Sequence, residues 1–200
     1  MANSKETKYI LIIFIVCILS SLYIFEFYKY FTKNLNNYIN PYSKINLILE
    51  NLNNNIETVS FISPSNVFKI NNKNIYPLSG ISNTLTINCN ENEYWSKYQS
   101  DKFGFNNNNY LWNVKNLDIM FIGDSMVHGS CVDNNNSIVG NYKKLLKKNN
   151  LLNLGISGSG PLTQLAIIKE YGKVLNPKKI FWFFYEGNDF SELQIELENK

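Results

Sequence analysis

Leu117-Asp118-Ile119-Met120-Phe121-Ile122-Gly123-Asp124-Ser125 reads as a buried strand that runs straight into a tight turn. Residues 119–122 are apolar without alternation, which suits a strand covered on both faces, as in a parallel sheet, better than one with a wet face. Two later stretches repeat the pattern. Leu151–Leu154 is a second short strand, ending at Gly155. Lys179–Tyr185, built around Ile180-Phe181-Trp182-Phe183-Phe184, is a third, and it ends at Glu186-Gly187-Asn188-Asp189. Ser137–Lys148, between the first two runs, has helical spacing. Between the second and third, Pro161 opens a helix at its first turn, and Asn176-Pro177 stops it after Leu175. Strand–helix alternation at this spacing predicts βαβ units and a parallel sheet over 118–200.

The chain changes character upstream. Met1–Lys8 is polar and carries Lys5 and Lys8, whereas Tyr9–Phe25 runs without a charge. That run lies at the short end of the roughly 17–25 residues that span a bilayer. Tyr23, Tyr28 and Tyr30 extend it as an interfacial belt, with Glu26 at its outer edge. A cleaved signal peptide is the alternative, but no small-residue cleavage site follows the apolar run, and Val16 before Cys17 does not suit a lipobox. Lys29 and Lys33 leave the charge asymmetry across the segment weak. The favoured reading is an uncleaved anchor over 9–28 in the cytoplasmic membrane, with a cytoplasmic tail over 1–8 and the main domain outside. Residues 29–60 read as a polar stalk holding a helical fragment around Ile45–Leu49 and Leu52. Residues 61–117 read as a small β-rich subregion, with β-prone runs at Asn66–Ile70, Ile75–Pro77, Thr84–Cys89 and Tyr94–Tyr98 broken by Pro and Gly.

At 200 residues, 44% hydrophobic and 18% charged, the chain can fill one core and carry an anchor, but hardly two full domains. The 19 cationic residues are all Lys, and the net charge is only +3. Arg is the preferred fork for phosphate and base edges, and no basic stripe with interleaved aromatics appears, so nucleic-acid binding is excluded as a reading. The Asn runs 53–55, 106–109 and 134–136 are expected to be solvated loops.

Open parallel sheets bind ligands beyond the carboxyl ends of their strands, and the three strand ends here carry Gly123-Asp124-Ser125, Gly155 and Gly187-Asn188-Asp189. Each motif alone is an ordinary turn or cap signal. The glycine-rich Gly155–Gly160 loop lacks the frame of a nucleotide-binding loop, and Ser125 does not sit in G-x-S-x-G. Taken in order over Asp118–Leu193, the three blocks resemble the first three sequence blocks of the SGNH (GDSL) serine hydrolases. The resemblance implies a three-layer flavodoxin-like parallel sheet and an esterase that works through a Ser acyl-enzyme, without metal or organic cofactor. Ser125 would be the nucleophile, with the N–H groups of Ser125 and Gly155 and the amide of Asn188 as the oxyanion hole, each donor being worth about 10²–10³ in rate. Gly123, Asp124, Gly187 and Asp189 complete the motifs. Anchored relatives of this type imply O-acetyl esters of extracellular or cell-envelope polysaccharide as substrate.

The family's base is a His in a later block, usually three residues after an Asp. The one His of this sequence is His128. Three residues along the same turn as Ser125, it is expected to line the rim or pack locally rather than take the Oγ proton. The expectation is therefore a fragment, a frameshifted product or a decayed copy, with the aromatic third strand left as a sheet edge. Cys89 and Cys131 are expected to pair in an oxidising compartment, while Cys17 acts as a small hydrophobe. A zinc site from Cys89, Cys131 and His128 is disfavoured by their spacing. The competing reading is a non-catalytic, membrane-tethered glycan-binding or assembly protein that stacks Tyr94, Trp95, Tyr98, Tyr110 and Trp112 on sugars. A third is a structural anchor without ligand.

Overall fold

The computed structural model describes residues 4–39, 43–65, 68–71, 73–91 and 94–198. Two compact units divide the chain, Met1–Asn46 and Leu47–Lys200. The first is dominated by helix α1 (Ser4–Ile39). Its Lys8–Tyr30 stretch, 23 residues with mean hydropathy 2.6, has no buried residue and is long and apolar enough to cross a membrane. At 1.5 Å per residue that stretch is about 35 Å long, against about 30 Å of bilayer hydrocarbon. The helix does not stop with the apolar run. It continues through the polar residues up to Ile39 that the sequence suggested were stalk.

In chain order there follow α2 (Lys44–Asn53), β1 (Thr58–Ser60), β2 (Phe68–Ile70), β3 (Lys73–Ile75), β4 (Leu85–Ile87) and β5 (Lys97–Gln99). After a 3-10 turn at Asn109–Asn113 come β6 (Ile119–Ile122), α3 (Ser125–His128), a second 3-10 turn (Asn134–Asn136), α4 (Ile138–Leu146), β7 (Leu151–Asn153), α5 (Pro161–Leu175), β8 (Lys179–Trp182) and α6 (Asp189–Glu198). Residues 66–67 of the expected Asn66–Ile70 run lie outside the described residues. Strand β1 falls inside the expected stalk: Thr58 pairs with Leu85 and Ser60 with Ile87, in parallel with β4. Strand β4 pairs antiparallel with β5, and β2 with β3 form a separate hairpin.

The expected parallel sheet is present, with strand order β7-β6-β8 and both pairings parallel. All four β6 residues are buried, and alternate residues go to opposite faces. Met120 and Ile122 pack in one cluster with Leu152, Leu154 and the α5 residues Ile167 and Leu175, closed by Phe105, Leu111, Trp112 and Leu117. Ile119 and Phe121 pack in the other with Leu151, Val127 and Val139, and Tyr142, Phe181 and Phe183 border it. A continuous apolar strand is thus explained by helices on both faces. Each fully buried large side chain in it contributes about 1.5–3 kcal/mol. Helix α5 begins with its Pro at the expected position, and its first N–H groups are capped from a distance. Glu196 of α6 accepts from Leu162 N (2.9 Å) and Thr163 N (3.1 Å), and the Gly160 cap contributes no side chain. Among the described residues strand β8 pairs with β6 alone, and Ile180 and Trp182 on it are 42% and 45% exposed.

One expectation about loops is corrected. Asn106 and Asn107 are buried, at 7% and 6% exposure, because the 101–107 loop is a structural insert and not a solvated run. The Asp101 carboxylate, 1% exposed, accepts from Phe103 N and Phe105 N with Oδ1 (2.9 and 3.0 Å). Its Oδ2 accepts from Asn107 Nδ2 (3.0 Å) and Trp112 Nε1 (2.8 Å).

Candidate active site

Strand β6 leaves the sheet at Gly123, where a Cβ would stand 2.6 Å from Val127 Cγ2 and 3.2 Å from Phe183 Cβ. Only a glycine lets β8 and α3 close on this turn. Asp124 then caps the short helix α3, its Oδ1 accepting from Met126 N at 3.1 Å, and Gly129 ends the helix in the left-handed region at φ 75°. Ser125 is the first residue of α3 and is half-buried. Among the described residues its hydroxyl has no protein partner.

The second oxygen of Asp124 reaches another strand end. Oδ2 accepts from Asn188 Nδ2 at 3.2 Å, and the same amide donates to Glu192 Oε1 at 3.1 Å. Asp124 is 3% exposed, so this bond is made largely out of water, where an unmet carboxylate would be costly. Asp189 opens α6, and its Oδ2 accepts from Tyr185 N at 2.5 Å. Burial pushes the carboxyls of Asp189 and Glu192 upward from the ordinary range. Among the described residues Asn188 Oδ1, Asp189 Oδ1 and Glu192 Oε2 are buried without a protein hydrogen bond. A proton held on one of the two acids would relieve part of that deficit.

The loop after β7 lies against the same turn. Ile156 N donates to Gly123 O (3.0 Å) and Ser159 Oγ to the same oxygen (3.3 Å). Gly155 is placed differently from the expectation. Its N–H is donated to Asn153 Oδ1 at 2.9 Å, and a Cβ would stand 2.5 Å from His128 N. It is a close-approach glycine under α3 with a committed N–H, which leaves nothing to offer a ligand. Gly158, three residues on, is half-buried with φ +75°, and among the described residues its N–H has no acceptor.

Side-chain amides that the sequence reading missed hold this arrangement. Asn153 Nδ2 donates to Val127 O in α3 (2.8 Å), and its backbone N donates to Asn107 Oδ1 (2.8 Å) while its carbonyl accepts from Asn107 Nδ2 (2.8 Å). Asn107 thus pairs with the end of β7 as a neighbouring strand would, and Asp101 fixes Asn107 in turn. No local pattern signals this. The only hint is an Asn at the last position of an apolar strand.

His128 is 1% exposed and packs between Phe61 and Tyr98, at ring distances of 5.0 and 5.3 Å. Its Nδ1 accepts from Ser157 N (3.3 Å) and lies 2.8 Å from Ser157 Oγ, which fixes the proton on Nε2. Burial pulls its pKa down to about 4. It packs locally, as expected, and is not poised over Ser125. Cys89 and Cys131 are joined by a disulfide with Cα atoms 5.1 Å apart, so the β4–β5 region is tied to the segment after α3. Among the described residues no cluster of metal-ligating side chains occurs. Of the five aromatics assigned to sugar stacking, Tyr98 and Trp112 are core residues at 8% exposure, while Tyr94 and Tyr110 are exposed. No family model, curated protein or solved structure matches this chain.

Proposed function

We propose that this protein is a serine esterase of SGNH type, anchored by α1 in the cytoplasmic membrane with its α/β unit outside, and acting on ester groups through an acyl-enzyme on Ser125. The observation that carries this reading is Asp124. One oxygen caps the turn bearing Ser125 and the other holds the amide of Asn188, so side chains from two strand ends converge beyond the carboxyl edge of a parallel sheet. The strand order β7-β6-β8 supports a flavodoxin-like three-layer arrangement. The disulfide supports an oxidising compartment.

In this mechanism Ser125 Oγ attacks the acyl carbon, its proton passes to a base, and the alcohol leaves with a proton as the acyl-serine forms. Water then hydrolyses the acyl-serine, or a sugar hydroxyl takes the acyl group. The negative oxygen of the tetrahedral intermediate is held by the N–H of Ser125 and by Asn188, whose amide turns from Glu192 to the substrate. Such fixed donors are the largest single contribution in this class of chemistry. The base is not His128, which is buried with Nδ1 committed to Ser157. The reaction therefore needs a base, and among the described residues none is hydrogen-bonded to Ser125. O-acetyl esters of extracellular or cell-envelope glycan are the proposed substrate, an inference from the resemblance alone. A serine-directed phosphonate probe tests the reading on a chain that includes an Asp-x-x-His block. Labelling lost in Ser125→Ala supports it, and undiminished labelling in that variant sinks it.

A second reading, glycan binding without turnover, is favoured by one observation: exposed Tyr110 lines a polar cavity. Glycan binding with no ester turnover in the same preparation would select it.

A further inference from the structure

A cavity of about 330 Å³ opens between α4 and the two 3-10 turns, and its lining shares no residue with the Ser125 turn. Lys143 and Lys144 line it. Elsewhere Lys148 and Lys178 both pair with Asp118, at 3.6 and 2.8 Å, but among the described residues Lys143 and Lys144 have no acidic partner. Lys143 is half-buried, and burial lowers its ammonium pKa from the ordinary value. Asn108, Asn134, Asn135 and Asn149 line the same space, and among the described residues none of their side-chain amides has a protein partner. Tyr110, half-exposed, completes the wall, its hydroxyl donating to Asn149 O at 3.4 Å.

The wall is rigid. Ser137 Oγ donates to Asn134 O (2.7 Å) and accepts from Gly140 N (3.0 Å), and a Cβ on Gly140 would collide with Asn134 O. The turn carrying Asn134 and Asn135 is therefore clamped to α4 one helical turn before Lys143. Two cations in the last turn of a helix are ordinary dipole partners, but that accounts for neither the amides nor the ring. Amides that donate and accept suit vicinal hydroxyls, an aromatic face suits a sugar ring, and unpaired ammonium groups suit an anion.

We propose that this cavity is a binding subsite for an acidic oligosaccharide, with the sugar's carboxylate or phosphate between Lys143 and Lys144, ring hydroxyls on the four Asn amides and a ring face against Tyr110. The proposal stands whether or not Ser125 is a nucleophile. As a substrate subsite it would set the polymer acted on, and in a protein without turnover it would be the binding site itself.

Titration calorimetry on the full chain in detergent micelles tests it, with tetragalacturonate, a phosphorylated maltotetraose, neutral maltotetraose and inorganic phosphate as probes. At least one acidic oligosaccharide is expected to saturate below about 10 mM and to bind at least about tenfold more tightly than maltotetraose and inorganic phosphate. Which of the two does so identifies the anion. Lys143→Gln with Lys144→Gln is expected to weaken that binding by about tenfold or more, Lys143→Arg with Lys144→Arg to retain it within about threefold, and Lys97→Gln to leave it unchanged. Failure of both acidic probes to saturate overturns the proposal. So does equal binding of maltotetraose or inorganic phosphate, or an equal loss in Lys97→Gln.

Discussion

Asp101→Asn removes one charge and exchanges one oxygen for an NH₂, and the structure determines what that does. Oδ1 can stay an oxygen and keep the Phe103 and Phe105 N–H groups. The Oδ2 position then presents hydrogens to Trp112 Nε1–H and Asn107 Nδ2–H, both of which are donors. Flipping the amide only moves the conflict to the two backbone donors. Two charge-assisted hydrogen bonds are lost and two buried donors are left unmet, each bond to a charged group being worth about 1.5–3 kcal/mol. A loss of about 3–5 kcal/mol follows, a large part of the 5–15 kcal/mol typical of a whole domain. Urea unfolding of the full chain in micelles, followed by Trp fluorescence, measures it. Trp95, Trp112 and Trp182 all lie in Leu47–Lys200, so the signal reports that unit alone. The loss should come with exchange of the Asn153 N–H, which depends on Asn107. A variant within about 1 kcal/mol of the parent would refute the claim that Asp101 organises this loop.

Three further outcomes are expected. Replacing Cys89 and Cys131 by Ser removes a bond across 42 residues, which by chain entropy should cost about 4 kcal/mol in the same urea assay; no change would mean the bond is not formed. His128 binds a proton in the unfolded chain near pH 6.5 but in the folded one only near 4, so its contribution is full above pH 6.5 and is lost as pH falls through that window, by about 3 kcal/mol at most. Asp189 and Glu192, raised by burial, change stability with the opposite sign, so His128→Gln is compared with the parent at pH 7.5 and 4.5; equal pH dependence in the two would contradict the buried neutral imidazole. Glu196→Ala should cost about 1–2 kcal/mol through the uncapped start of α5 and speed exchange at Leu162 and Thr163, whereas Glu196→Gln should recover part of it; unaltered exchange at both amides would remove Glu196 from the cap.

The parts of this structure that could be read in the sequence are those in which local pattern and burial agree. Ile119–Ile122 has no polar residue because helices cover both its faces, and Pro161 and Asn176-Pro177 bracket α5 by backbone chemistry alone. The rest depends on contacts across long separations. Strand β1 is three residues in a polar stretch, and it forms because β4 offers a parallel edge. Asn107 looks like part of a solvated run until Asp101 and β7 engage it. Gly155 stands at a strand end as a donor would, yet its N–H is taken by a side chain only two residues away. A motif names the residues near a site but does not say which of their hydrogen bonds are already made inside the protein.

Ser125 on its Asp124-capped turn is the proposed nucleophile. Intact-mass and peptide mapping after treatment with a fluorophosphonate, on a chain that includes an Asp-x-x-His block, tests this reading. One covalent adduct is expected, mapped to Ser125, absent from Ser125→Ala and slowed in Asp124→Ala, which frees both Met126 N and Asn188. A folded chain of that kind that takes no adduct at Ser125, or takes it on another serine, would rule Ser125 out as the nucleophile.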